Sequence, residues 1–428
     1  MLKFIHNLNL YIFIVFIVLY FYRNFYIVIA LRSKRKIKQP IVPKKLHQYA
    51  VIIAARNEQA VIEELIKSIK NQIYPKDLID IFVVADNCID KTAQIARNAG
   101  AIVYERNNQN FKGKGYALNF LFGIIAREHS NKNYEGYFVF DADNLLDENY
   151  IFEMNKYFDK GFNVITSYRN SKNYGYNWIT AGYALWFLHE AEYLNNPRMI
   201  LGKSCAISGT GFLIHSDVIR RNGGWKHFLL TEDIEFTISE VIKGEIIGYC
   251  GSAMLYDEQP TTFMQSWNQR LRWAKGFYQV FNRYGKEIFK CSFEREKQSF
   301  SCYDMMMTIM PAILVSITSL FVNSAFLAIG LFNPTMGQEI IKETFLAICS
   351  SFTIYYSILF ILGLITTITE WQNIYCSKEK KIKYLFTFPL FMFTYMPIAL
   401  VALFKKVEWY PVTHTCVTSI QEIRRRSI

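Results

Sequence analysis

Four uncharged apolar runs constrain this 428-residue chain more than any other feature. Residues 4–22 contain no Lys, Arg, Asp or Glu, and the same holds for 305–338, 344–369 and 384–404. A helix needs about 20 apolar residues to cross the hydrocarbon core of a bilayer, and runs beyond about 14 are uncommon in buried soluble helices. The spacing therefore predicts a transmembrane helix over 4–31 and a C-terminal transmembrane region over 304–404. The chain also carries 48 Lys and Arg against 36 Asp and Glu, too many charges to sit in lipid. They require one large water-facing region between the first run and the second.

Charge placement suggests the orientation. Arg32, Lys34, Arg35, Lys36, Lys38, Lys44 and Lys45 follow the first run, which puts that side in the cytoplasm and the N-terminus outside. The run is too long for a cleaved leader, and no small-residue cleavage site follows it. Lys378, Lys380, Lys381 and Lys383 mark 370–383 as a cytoplasmic loop. Three crossings after the soluble region would leave the basic tail 405–428 outside, although it carries Lys405, Lys406, Arg424, Arg425 and Arg426. Either the tail breaks the rule, or 384–404, with Pro389 and Pro397, breaks and re-enters. Residues 266–303 mix aromatics with Arg270, Arg272, Lys275, Arg283, Lys286 and Lys290. They suit amphipathic helices on the inner leaflet, or else surface helices of the soluble region. The location implied is the plasma membrane, crossed several times, with a cytoplasmic catalytic domain over 45–265.

Within that domain, short apolar runs at 51–55, 81–85, 102–104 and 137–140 alternate with helical spacing at 59–71, 91–98 and 115–128. Such alternation predicts an α/β fold with a doubly wound parallel sheet, whose ligands bind at the C-terminal strand ends. Those ends read Arg56-Asn57-Glu58, Asp86-Asn87 and Asp141-Ala142-Asp143. A single acid after a strand is ordinarily a helix N-cap. Three on one edge are harder to explain that way. Asp141 and Asp143 can both reach one hard divalent cation, Mg or Mn, able to bridge a diphosphate. Lys112-Gly113-Lys114-Gly115 opens a helix and suits phosphate, or is a flexible basic turn. Thr231-Glu232-Asp233 opens another, with Thr231 as N-cap or Asp233 as general base for an alcohol nucleophile. Gln269-Arg270-Leu271-Arg272-Trp273 joins cation and aromatic ring, suiting a sugar diphosphate or a membrane-interface anchor. The eight Cys form no CxxC pair or Cys–His cluster, so reduced thiols are expected. The net charge of +12 comes without a nucleic-acid recognition motif, so no nucleic-acid partner is expected.

Taken in order, Asp86, Asp141-x-Asp143, Thr231-Glu232-Asp233 and Gln269-x-x-Arg272-Trp273 resemble the D, DxD, TED and QxxRW motifs of membrane-embedded processive family 2 glycosyltransferases. These include the cellulose, chitin, hyaluronan and poly-N-acetylglucosamine synthases. The resemblance spans about residues 50–285 and implies a nucleotide-sugar-binding domain of glycosyltransferase A type, inserted between transmembrane helices. It implies that Asn57, Glu58 and Asp86 contact the uridine end of a UDP-sugar, with Lys114 near the diphosphate. Asp141 would bind substrate and, with Asp143, the cation. Glu232 would bind substrate beside the base Asp233, while Gln269, Arg272 and Trp273 hold the diphosphate and the growing polysaccharide acceptor. The expected product is a β-linked glycan, most simply a cellulose-like or mixed-linkage glucan, exported across the membrane with or without an accessory subunit. An N-acetylglucosamine polymer or a non-processive transfer to lipid are the alternatives. The Ser208–Phe212 loop departs from the cysteine-bearing loop of cellulose synthases, which leaves the sugar open.

Overall fold

The computed structural model describes residues 2–34, 41–294, 298–310, 312–409, 412 and 414–426. Arg35, Lys36 and Lys38 of the basic cluster lie outside the described residues. Helices α1 (Leu2–Tyr20) and α2 (Tyr22–Ser33) precede an alternation of β1 (Tyr49–Ala55), α3 (Ile62–Lys70), β2 (Ile79–Asp86), α4 (Thr92–Asn98), β3 (Ile102–Arg106), α5 (Lys114–Glu128) and β4 (Gly136–Asp141). Next come β5 (Leu145–Leu146), α6 (Tyr150–Phe158), β6 (Val164–Ser171), α7 (Trp178–Glu190), α8 (Asn196–Ile200), β7 (Phe212–His215), α9 (Ser216–Arg221), α10 (Glu232–Ile242) and β8 (Gly248–Asp257). The remainder is helical: α11 (Phe263–Glu294), α12 (Ser299–Ile309), α13 (Ala312–Phe332), α14 (Gly337–Thr369), α15 (Lys378–Phe393), α16 (Tyr395–Phe404) and α17 (Ile420–Arg425).

Among the described residues eight strands form one sheet in the order β3-β2-β1-β4-β7-β6-β8-β5. The expected parallel arrangement holds for β1 to β4. It does not hold throughout: β7 runs antiparallel to both β4 and β6, and β5 to β8, while β6 and β8 are parallel, so the sheet is mixed. The cause is the 204–211 segment, which returns the chain to the ligand edge, so that β7 must run away from it. Strand residues alternate between two buried layers. Ala50, Ile52, Phe82 and Val84 pack with Leu118 and Leu121 of α5 and Phe236 of α10. Val51, Ile53 and Val83 pack with Leu65 and Ile69 of α3 and Met154 of α6. The result is a three-layer α/β/α domain.

Gly211 makes this return possible. Its φ is +67°, and a Cβ there would lie 1.9 Å from Leu255 Cδ2 and 2.8 Å from Ser167 Oγ. Gly211→Ala is expected to cost about 1–3 kcal/mol of stability through overpacking, measurable as a drop in thermal midpoint.

Among the described residues, three helical segments are long and apolar enough to cross a membrane: Lys3–Tyr20, Gly337–Thr369 and Lys378–Phe404. The 4–31 run is two helices meeting at Phe21, and the 384–404 run falls in α15 and α16, which meet at Thr394. Asn9 of α1 and Asn323 of α13 exchange amide hydrogen bonds at 3.1 and 2.8 Å, satisfying both in apolar surroundings. At the other end of the N-terminal pair, Asp304 of α12 receives Arg198 of α8 at 2.7 and 2.9 Å, with both side chains 1% exposed. Tyr22 and Tyr26 of α2 donate to the same carboxylate at 2.8 and 2.7 Å.

Both ends of the α15–α16 pair touch the domain side. Lys380 Nζ donates to the Gly175 carbonyl at 2.9 Å, while Lys275 Nζ and Tyr278 Oη of α11 donate to the carbonyls of Ala402 and Ala399 at 3.0 and 3.2 Å. The tail returns to the sheet. Ile423 is buried against Leu145 and Tyr256, Arg424 pairs with Asp147, and Arg426 donates to the Lys172 carbonyl at 2.7 Å. Cys291 and Cys302 form a disulfide, contrary to the expectation of reduced thiols throughout. The chain reverses between α11 and α12 and brings their Cα atoms to 6.0 Å, a proximity no local spacing announces.

Candidate active site

Because β1, β2 and β4 are parallel, their C-terminal ends share one edge. Asp86 and Asp141 are the last residues of β2 and β4. Asn57 and Asn87 turn the chain off β1 and β2 at φ of 57° and 53°, a left-handed conformation Asn tolerates. The edge opens into a cavity of about 830 Å³. Glu58, Asp86, Lys114, Asp141 and Asp143 line it from the sheet side, Glu232 and Asp233 from α10, and Gln269, Arg272 and Trp273 from α11. Asn57 does not join them. Its Oδ1 accepts the Ile89 backbone N–H at 2.9 Å and braces the β1 turn against the β2 turn.

Each acid meets a cation or a backbone donor. Asp86 pairs with Arg106. Asp141 pairs with Lys114, whose ammonium also donates to the Gly209 carbonyl at 2.7 Å and lies 3.9 Å from Glu232. Gly115 permits this loop, since a Cβ there would lie 2.1 Å from the His227 carbonyl oxygen. Asp143 accepts the Glu258 backbone N–H at 2.8 Å. His414, from the segment after α16, sits 3.0 Å from Glu58 and 4.0 Å from Asp143. Asp233 accepts the Gly209 N–H at 2.6 Å, so one glycine links Lys114 to the base candidate. Burial raises the Asp233 carboxyl above its ordinary range, and it pushes Glu232 up to about 7 against the lowering pull of Lys114. Thr231 does not cap α10, and its Oγ1 is buried without a hydrogen-bond partner among the described residues.

The α11 side is positive and unsatisfied. Gln269 Oε1, Arg272 Nε, and Nε and Nη1 of Arg56 are buried without partners among the described residues. Such buried polar atoms, one acceptor and three donors, are costly unless a ligand meets them, and phosphate oxygens suit guanidinium groups. The two guanidinium groups lie 5.1 and 5.8 Å from the Trp409 ring centroid. Trp273 meets Tyr183 edge-to-face at 5.6 Å, leaving an aromatic wall for a sugar ring.

Asp141 and Asp143 supply hard oxygen donors, and no group of three or more His, Cys, Asp or Glu able to hold a metal occurs among the described residues. Two carboxylates fit a divalent cation whose remaining positions are filled by diphosphate and water. Lys114 lies beside Asp141, and His414 beside Glu58 and Asp143.

Arg169, Asp257 and Glu258 also line the cavity without having been singled out in the sequence, and Arg56, named there only as a strand end, joins them. Asp257-Glu258 had a usable signal, acids closing an apolar strand, as at Asp86 and Asp141. Burial raises Asp257 to about 6, even beside Arg169. Trp409 and His414 had none, since they arrive only by the return of the tail.

A sequence profile described as "Glycosyltransferase like family 2" matches residues 47–276, more than half of the chain. The probable glycosyltransferase YdaM of Bacillus subtilis is 28% identical over 275 residues, 59% of this chain and 60% of its own. A beta-monoglucosyldiacylglycerol synthase of Synechocystis is 27% identical over 56% of this chain and 50% of its own. A poly-beta-1,6-N-acetyl-D-glucosamine synthase of Staphylococcus epidermidis is 26% identical over 54% and 55%. The chain thus spans 50% to 60% of the length of these relatives. Among solved structures, a Pyrobaculum calidifontis mannosyltransferase in complex with GDP-Man and Mn2+ superposes with a TM-score of 0.60, covering 94% of this chain and 99% of its own at 15% identity. That likeness extends to the fold, a glycosyltransferase A-like α/β domain with accompanying apolar helices. The chain belongs to glycosyltransferase family 2.

Proposed function

We propose that this chain is a membrane-bound, inverting hexosyltransferase that uses a UDP-sugar on the cytoplasmic side of the plasma membrane. The observation that supports it best is the gathering of Asp141, Asp143, the buried carboxylate of Asp233 and the unpartnered Arg272 around one cavity. In this reading Glu58 and Asp86 hold the nucleoside, and Lys114, Gln269 and Arg272 neutralise the diphosphate. Trp273 orients the acceptor, and Asp233 takes the proton of the attacking hydroxyl. Asp141 and Asp143 hold Mg or Mn, which when bound supplies charge neutralisation for the departing UDP. A single displacement inverts the anomeric centre. The Gln269–Trp273 motif favours growth of a β-glycan, while the diacylglycerol-glucosylating relatives favour a lipid acceptor.

The topology consistent with this reading has α1, α13 and α14 crossing and α15–α16 returning to the face it left. One end of that pair touches the domain and the other touches α11, and α17 packs on the sheet, which supports a basic tail on the same side as the domain.

The test is transfer of label from UDP-glucose and UDP-N-acetylglucosamine by the purified protein with Mn. Absence of UDP release from either donor would refute the reading. Stripping the cation with EDTA is expected to reduce turnover by about 10²-fold or more, with recovery on adding Mn. The pH profile provides a further check. The base must be ionised to act and burial raises its pKa, so kcat/KM is expected to fall on acidification at a pH above the usual carboxylate value of about 4.

A further inference from the structure

The cavity does not end at the catalytic acids. It continues toward α1–α2, α14 and the α15–α16 pair, where Ile17, Phe21, Ile358, Leu362 and Phe393 line it. Glycan hydroxyls would find few partners there, Tyr20, Asn24 and Tyr355 being among the polar side chains those helices add, whereas a hydrocarbon chain packs against the rest. Arg23 and Arg198 also line the cavity. Arg23 interrupts the first apolar stretch, where a cation is costly without a counter-charge. It donates to the Tyr22 hydroxyl at 3.3 Å and lies 4.9 Å from the Tyr20 ring centroid, and among the described residues it pairs with no carboxylate. Asp304 is already held by Arg198. With that aspartate taken by Arg198, Arg23 leaves a positive charge beside the apolar part of the cavity that also holds Asp233.

We infer that the acceptor is a lipid carrying a phosphate on a long hydrocarbon chain. Its chain occupies the apolar part of the cavity and its phosphate meets Arg23. This rests on the hexosyltransferase reading. The acceptor oxygen forms the new bond to the anomeric carbon as the bond from that carbon to the β-phosphate oxygen breaks, and the electron pair leaves with UDP. A headgroup hydroxyl gives its proton to Asp233, while an ionised terminal phosphate oxygen has none to give.

The full chain in lipid vesicles is supplied with labelled UDP-glucose or UDP-N-acetylglucosamine, Mn, and one of three lipids: polyprenyl phosphate, phosphatidylglycerol or diacylglycerol. The expected result is organic-extractable label with a phosphate lipid, well above that with diacylglycerol. An acid-labile product identifies the terminal phosphate as nucleophile, and an acid-stable one the headgroup hydroxyl. Arg23→Gln is expected to raise KM for the lipid about five- to ten-fold without a matching rise in KM for the UDP-sugar, the size of one lost cation–headgroup contact. Ile358→Trp, which narrows the apolar part, should raise the lipid KM by bulk alone, and it serves if the first variant fails to fold. Equal use of diacylglycerol, label recovered in a water-soluble polymer, or an unchanged lipid KM would overturn the inference. Mn-dependent UDP binding, followed by calorimetry, separates the two failures: UDP bound but no lipid product defeats only this inference, and no UDP binding defeats the hexosyltransferase reading beneath it.

Discussion

Asp233→Asn is expected to lower kcat by about 10²- to 10⁴-fold, the usual contribution of a positioned general base. The amide keeps the shape and can still face Gly209, so the local fold should hold while proton acceptance is lost. KM for the UDP-sugar should change little, because the donor contacts come from other elements. The measurement is steady-state transfer together with UDP binding by calorimetry. Full activity in the variant would remove Asp233 from the role of base. Loss of UDP binding would show that Asp233 organises the donor site through its bond to Gly209 instead.

The second large effect concerns stability. Asp304→Ala leaves Arg198 buried without its carboxylate and deprives two tyrosines of their acceptor. Breaking a buried pair from one side costs about 3–5 kcal/mol. A drop in thermal midpoint in detergent, with loss of a monodisperse peak, is the expected result. The double variant Arg198→Met, Asp304→Leu removes both charges and should regain much of that loss. If the single variant unfolds no earlier than the parent, the pair is not what fastens α2 and α12 to α8.

Much of the catalytic edge was legible in the sequence because it is local. Asp86 and Asp141 close apolar strands, and parallel strands in series bring their ends together. The mixed second half of the sheet was not legible. β7 is four residues long, and its direction is decided by the path of the preceding segment over the sheet, not by its own pattern. Asn57 shows the limit of motif reasoning in another way. Its neighbours Arg56 and Glu58 face the cavity, while its own amide is spent on a turn. His414 and Trp409 lie over 350 residues in sequence from the β1 turn they cover, and contacts so distant leave no periodic trace.

Two attachments of the sheet domain, at opposite flanks, limit what it is free to do. On one flank the Arg198–Asp304 pair joins it to the helices, and on the other Ile423 is set into the β5–β8 edge. Tilting the domain as a rigid body would have to expose an ion pair at one flank and withdraw an apolar plug at the other. The low-cost movements are therefore those of side chains and short turns within the cleft. Turnover should depend on the rearrangement of the Lys114 and Gly209 turns and of His414, while the domain keeps its pose against the apolar helices.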